Sequence, residues 1–290
     1  MKISTCIDSV AKKTGEERAL ELIAEAGFDC WDFSMFTMNR YSYADKTLSP
    51  SDHPLGGDDW RAFAKHLGEV GRSLGLTCNQ SHAPFPAFAE GQMAYLHRAI
   101  ETTALAGGKI CIIHPDNYKG AEENAVMYRE LLPTAHKFGV KIATENMWNW
   151  NYETKEAAPA ACSHHDDFLA HIEAVNDPYL VACVDIGHAD MRGLSTDPYT
   201  MIKTLGRHVA ALHVHDNDKH RDSHELPYTM DIDFDAVARA LAEIDYQGEI
   251  TLEACYYRKD ATAEEQPERL AAMAAAARRL ADAVEGYKAK

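Results

Sequence analysis

Six segments that read as buried β-strands each end on a side chain able to bind a metal. They are Asn79-Gln80-Ser81-His82, Ile110-Cys111-Ile112-Ile113-His114, Ile142-Ala143-Thr144-Glu145, Ala182-Cys183-Val184-Asp185, Ala211-Leu212-His213-Val214-His215 and Ile250-Thr251-Leu252-Glu253. An ionisable group closing an apolar run is costly to bury unless it is paired or coordinated. One such ending can be a cap or a hydrogen-bonded core histidine. Six in succession, separated by helical patterns, describe strands that deliver ligands to one shared mouth. Glu145, Asp185, His215 and Glu253 come from four consecutive strands, so their carboxylates and imidazole converge. No basic residue ends the adjacent strands, and clustered carboxylates repel one another without a cation. The mixed oxygen and nitrogen set suits Mn²⁺, Co²⁺, Zn²⁺ or Mg²⁺.

Further candidates stand close by in sequence. His188 follows Asp185 at i+3, with Gly187 allowing the backbone to bend, and Asp222-Ser223-His224 lies in the long loop after the seventh strand. With His82 and His114 these residues could hold two further ions, or could instead contact substrate. His213 shares the inward side of His215 one layer deeper, where a hydrogen-bonded core histidine is expected. The other histidines carry no such pattern and read as surface or helix residues.

The elements that must position these groups alternate along the whole chain. Strand patterns cover 2–7, 28–35, 77–82, 109–114, 141–145, 181–185, 209–215 and 249–255. Helical patterns cover 16–26, 60–74, 92–106, 122–138, 166–175, 198–205, 234–244 and 263–284. Gly27, Gly75, Gly108, Gly139 and Gly248 stand between a helix and the next strand, where a left-handed cap turns the chain. Eight strand–helix units with mainly apolar strands predict an α/β fold, a single (β/α)₈ TIM barrel over 1–290. No Gly-x-Gly-x-x-Gly turn or Walker loop supports a nucleotide-binding open sheet. Strand alternation adds a check: Ala143 and Lys141 should point inward with Glu145, and Thr251 and Glu249 with Glu253, leaving Ile142, Thr144, Ile250 and Leu252 to the helices. The site therefore belongs at the C-terminal ends of the strands.

Composition narrows the function classes. The 290 residues are 46% hydrophobic and 26% charged, as in soluble globular proteins. Met1-Lys2-Ile3-Ser4-Thr5-Cys6 runs into strand-like sequence without an apolar leader, and no run is long enough to span a bilayer. A cytoplasmic protein with no membrane partner is expected. The seven cysteines form no CxxC pair, and Cys6, Cys30, Cys78, Cys111, Cys183 and Cys255 fall in predicted strands. They read as reduced, buried and inert. The formal net charge of −16 and the lack of a basic cluster argue against a nucleic-acid partner. A homo-oligomer is compatible with everything above.

The chain resembles the xylose-isomerase-like barrels, a superfamily of sugar isomerases, epimerases and endonuclease IV. The resemblance covers nearly the whole chain. It rests on Ser81-His82-Ala83-Pro84, Ile113-His114-Pro115, Thr144-Glu145-Asn146, Val184-Asp185-Ile186-Gly187-His188, His213-Val214-His215-Asp216-Asn217, Asp222-Ser223-His224, and Thr251-Leu252-Glu253 after Tyr246-Gln247-Gly248. It implies a single ion on Glu145, Asp185, His215 and Glu253, as in ketose 3-epimerases. It also permits up to three zinc ions, as in endonuclease IV, with His82, His114, His188, Asp222 and His224 as the further ligands. Where relatives carry a glycine-rich turn, this chain has Pro227-Tyr228-Thr229-Met230, which puts a tyrosine and a methionine near the mouth.

The function this resemblance implies is divalent-metal-dependent isomerisation or epimerisation of a small ketose, polyol or related carbohydrate. Glu145 and Glu253 would transfer the proton through an enediolate, while Trp148, His188 and Arg221 would contact substrate, with Trp150 and Lys219 nearby. A zinc-cluster phosphodiesterase and a keto-inositol dehydratase are the alternatives that would use the same ligands. Strands seven and eight lack a glycine-rich phosphate loop, which weighs against a phosphosugar.

Overall fold

The computed structural model describes residues 1–289. Its main sheet has eight strands: β1 (Ile3–Cys6), β2 (Cys30–Ser34), β3 (Thr77–His82), β4 (Ile110–Ile112), β5 (Lys141–Glu145), β6 (Leu180–Asp185), β7 (Val209–His213) and β8 (Ile250–Leu252). β1 to β7 pair in parallel in chain order, and β8 returns to β1 through Ile3 and Ile250. The last seam closes where Val214 N–H donates to Thr251 O at 2.9 Å and Glu253 N–H to Val214 O at 3.0 Å. This is the expected TIM barrel, with helices between the strands.

The long helices fall where the apolar periodicity places them, for example Trp60–Ser73, Gln92–Ala106 and Pro198–Leu205. Asp197 caps the last of these, accepting from Thr200 N at 2.9 Å, with Pro198 in the first turn. Shorter elements escape periodicity: a helix at Asp8–Thr14, a single turn at Ile186–Ala189, and two antiparallel ribbons. The ribbons pair Asn39–Ser42 with Thr47–Pro50, and Asn149–Asn151 with Glu156–Ala158. Gly27, Gly75 and Gly139 turn in the left-handed region as expected. Gly107 takes that role in place of Gly108, and Asp245 does so ahead of Gly248. Gly248 is needed for space, because a Cβ there would lie 2.3 Å from the Tyr246 hydroxyl.

The core has two layers. Trp31, Phe33, Leu20, Ile23, Leu67, Ile142, Ile250 and Leu252 fill the space between strands and helices. Inside the barrel Ile112, Ala143, Val181, Cys183 and Ala211 form a second, smaller cluster. The predicted inward set on β5 is therefore observed at Ala143. Below the mouth a polar layer is satisfied internally: Ser4 donates to Asn79 at 2.7 Å, and Asn79 donates to Thr251 at 3.0 Å. The cysteines are free, and all are buried except the half-buried Cys255. Burial pushes the Cys111 thiol up to about 11 and the Cys183 thiol up to about 12, which keeps both protonated and unreactive. Among the described residues no helix is long and apolar enough to cross a membrane.

Candidate metal centre

Two register shifts aim the histidines. Trp31 pairs with Cys78 but Asp32 pairs with Gln80, so Asn79 is an extra residue in β3. Likewise Ala182 pairs with Val209 but Cys183 pairs with Ala211, which leaves Ala210 extra in β7. Side chains alternate along a strand, so one inserted residue exchanges the two faces for everything after it. Cys78 and Val209 belong to the outer core. Without the insertions His82, His213 and His215 would share that outer face; with them all three point into the barrel. Pairing stops short of His114, His215 and Glu253, so these residues stand on the first turns of loops whose backbone is still tied to the barrel.

The expected ligands meet in two adjoining groups. In the first, His82 Nε2 is 2.7 Å from His114 Nε2, and His114 Nε2 is 3.3 Å from Glu145 Oε2. In the second, Asp222 Oδ2 accepts from His188 Nε2 at 3.3 Å and His224 Nε2 at 3.2 Å, while His215 Nε2 lies 3.1 Å from Asp185 Oδ1 and 3.5 Å from Asp222 Oδ1. Glu253 joins them: Oε1 is 3.7 Å from His82 Nδ1, and Oε2 is 3.8 Å from His224 Nδ1. All nine sequence-predicted ligand candidates are thus gathered at the barrel mouth.

The surrounding backbone fixes their orientation. His188 Nδ1 is 2.9 Å from Asn146 O, and His224 Nδ1 is 2.8 Å from Glu253 O. Each ring is thereby held with Nε2 turned inward, the usual way a protein orients an imidazole ligand. Asn146 clamps β6 with both ends of its amide, accepting from Asp185 N at 2.8 Å and donating to Asp185 O at 2.9 Å. Asp185 Oδ1 caps the short helix by accepting from His188 N at 2.7 Å. Asp216 organises the loop that carries Asp222 and His224. Its buried carboxylate accepts from Asn217, Thr229, Met230 and Ile232 N–H groups at 2.8–3.1 Å.

The polar accounting at this mouth does not close. Glu145 Oε2, Asp185 Oδ2, His215 Nε2 and Asp222 Oδ1 are buried without a hydrogen-bond partner. Buried polar groups are normally satisfied, and one left alone costs about 1–3 kcal/mol. Three of these atoms are carboxylate oxygens and the fourth is an imidazole nitrogen. A divalent cation would satisfy such a donor set directly, so these residues fit a metal.

Neighbouring imidazoles and carboxylates shift one another's proton affinity at this mouth. Burial raises the Glu145 carboxyl, but His213 and His114 outweigh it and hold the group well below its ordinary range. Burial also raises Glu253, where His213, His82 and His224 win and hold it low. For His188, burial opposes the charged ring, yet Asp185 and Asp222 push it up to about 10. His114 goes the other way, lowered by burial more than Glu145 can restore.

Two residues outside the predicted ligand set complete the centre. His213 is buried and hydrogen-bonded, as expected for a core histidine, but its Nδ1 also lies 3.2 Å from Glu145 Oε1 and 3.5 Å from Glu253 Oε2. Its Nε2 is 3.3 Å from Asp32 Oδ2, which Gln80 Nε2 holds at 3.0 Å. Asp32 was discoverable, since it is one more carboxylate in an apolar strand.

A cavity of about 560 Å³ opens above these groups and is lined by His82, His114, Glu145, His188, Asp222 and Glu253 together with Trp148 and other aromatic rings. Asp185 and His215 are fully buried and do not line it. Arg221 is exposed on its loop and is not among the lining residues, and Lys219 is tied to Asp190 at 3.0 Å. Tyr228 is directed away from the mouth, under Arg279 at 3.7 Å from the ring centre.

Comparison with known proteins agrees with this architecture. The xylose isomerase-like TIM barrel model matches residues 20–281, and the chain belongs to that family. The uncharacterized protein MJ1311 of Methanocaldococcus jannaschii is 26% identical over 81% of this chain and 78% of its own. A structure of L-ribulose 3-epimerase superposes with a TM-score of 0.72 at 18% identity, covering 99% of this chain and 96% of that one. The IolI protein with a zinc atom superposes with a TM-score of 0.69 at 17% identity, covering 99% of both.

Proposed function

We propose that this protein is a divalent-metal-dependent isomerase or epimerase of a small carbohydrate, carried by one catalytic barrel domain. The observation that carries the reading is the pairing of Glu145 and Glu253 across one cavity. Both line it, both contact His213 and His82, and Glu145 keeps a buried oxygen without a partner. Glu145, Asp185, His215 and Glu253 would hold one ion, and His82, His114, His188, Asp222 and His224 could extend the set to as many as three. When bound, the ion supplies Lewis-acid stabilisation of negative charge on a carbonyl oxygen.

The remaining work falls to the chain. A proton beside a carbonyl is weakly acidic, and a positioned carboxylate is needed to take it and return it. Glu145 and Glu253, from β5 and β8, are held ionised and can approach a flat enediolate from different faces, as inversion of a centre requires. His188 and Trp148 border the cavity and would orient hydroxyls and a ring face. That structures as similar as L-ribulose 3-epimerase share the fold supports this chemistry, and the zinc in IolI supports the metal.

A zinc-cluster phosphodiesterase is the second reading, favoured by the presence of all nine ligand candidates. Against it stand the net charge of −16 and a cavity lining without Lys or Arg among the described residues. A dehydratase would use the same base and is separated by its product. The test is a panel of ketoses, aldoses and keto-inositols incubated in D₂O with metal-loaded protein. Deuterium should enter at the exchanging carbon in the wild type and be lost in Glu145→Gln and Glu253→Gln. Undiminished activity in both variants would refute the assignment of roles.

A further inference from the structure

The cavity has two chemically different halves. Over β5 to β8 it presents Glu145, His188, Asp222, His224 and Glu253. Over the loops that follow β2, β3 and β4 it gathers five aromatic rings, Phe36, Tyr43, Phe85, Phe88 and Tyr118, beside His82, His114 and Asn117, while Met147 and Trp148 add apolar lining after β5. The aromatic half adjoins the ligand residues: the Phe36 ring is 4.7 Å from His82, and Phe85 stacks on His114 at 5.3 Å and 22°. The rings continue outward, and Tyr118 is 80% exposed, Tyr43 66%, Phe88 46% and Phe85 42%. Exposed apolar rings gathered along one cavity edge mark a place where something apolar binds. No Lys or Arg lines the cavity among the described residues, so on the aromatic side, away from the ligand residues, an anionic substituent would find no basic side chain.

From this asymmetry we propose that the substrate is a neutral glycoside that carries a ketone on its sugar ring, the source of the acidic proton, and an aryl or similarly apolar aglycone, and that Phe85, Phe88 and Tyr118 form the aglycone subsite. The inference rests on the carbohydrate reading above and deepens it. At about 560 Å³ the cavity falls in the ~300–1,000 Å³ range that encloses drug-sized ligands, more than one pyranose ring fills. The sugar occupies the polar half over Glu145 and Glu253. The aglycone lies against the aromatic wall, where offset and edge-on ring contacts are favourable. A free sugar or a sugar phosphate leaves that wall exposed to water.

Two measurements on metal-loaded protein separate this inference from the reading beneath it. Calorimetric binding compares phenyl β-D-glucopyranoside, D-glucose and D-glucose 6-phosphate. Solvent deuterium exchange compares phenyl 3-keto-β-D-glucopyranoside with 3-keto-D-glucose. The phenyl compounds should bind at least about tenfold more tightly and exchange at least about tenfold faster at low concentration. In the Phe88→Ala/Tyr118→Ala double variant both ratios should fall towards one; both rings are exposed, so their truncation does not open the core. Equal binding of phenyl glucoside and glucose overturns the aglycone subsite even where proton exchange occurs. Tighter binding of the phosphate overturns it too. So does a dimer in sedimentation that the double variant dissociates, with no phenyl advantage, since a second copy would then occupy the wall. Absence of exchange from every keto compound, with the phenyl binding advantage intact, overturns the proton-transfer reading and leaves the subsite standing.

Discussion

A Cβ on Gly187 would lie 1.9 Å from Cε1 of His215. No side chain fits there, so the glycine between Asp185 and His188 exists to admit the imidazole of the next strand. The bend it was expected to provide is secondary to this space. Gly187→Ala should push His215 out of register with Asp185 and Asp222. Overpacking of this kind costs about 1–3 kcal/mol, so the variant should remain folded by circular dichroism. Its metal affinity, read by calorimetry, should drop by at least about tenfold, in the range reported for disturbed ligand support.

Asp216 is the second positioning residue with a sharp expectation. Its carboxylate gathers the backbone of Asn217, Thr229, Met230 and Ile232. Asp216→Ala leaves those buried or half-buried N–H groups without an acceptor, at a cost of about 2–4 kcal/mol. The loop bearing Asp222 and His224 should loosen first. Hydrogen exchange over residues 217–232 should rise before global unfolding, and an unchanged exchange pattern would contradict the role.

Strand alternation was legible where the strands are regular. On β5 it placed Ala143 inward with Glu145, and the six ligand-bearing strand ends were readable because apolar runs rarely close on ionisable groups. The insertions at Asn79 and Ala210 were not readable, since an extra residue in a parallel pairing leaves no mark in composition or periodicity. The aromatic wall was also hidden: Phe36 sits in a single 3-10 turn and Phe85 and Tyr118 in loops, and only the closed barrel brings them together. Arg221 shows the converse limit, a cation near the ligand motif in sequence whose loop keeps it out of the cavity.

The charge balance gives the metal-free protein a characteristic pH response. His188 is pushed up to about 10 from an ordinary value near 6.5. A raised folded value contributes stability that is fully present below the unfolded value and is lost as pH rises through the folded one. The chelated protein should therefore lose melting temperature between about pH 7 and 10. A bound ion needs the imidazoles neutral, so the loaded protein gains relative to the chelated one over the same window. The gap between their melting temperatures should widen with rising pH; a gap that stays flat or narrows would contradict the balance described.

The central claim is that the barrel mouth holds a divalent ion on Glu145, Asp185, His215 and Glu253. Anomalous diffraction from crystals of protein purified without added metal, combined with elemental analysis before and after chelation and add-back, reads it most directly. The account predicts at least one anomalous peak among these four residues, with further peaks, if present, beside His82 and His114 or beside His188, Asp222 and His224. Protein that takes up no Mn, Co, Zn or Mg under any add-back condition, with no peak at the mouth, would contradict it.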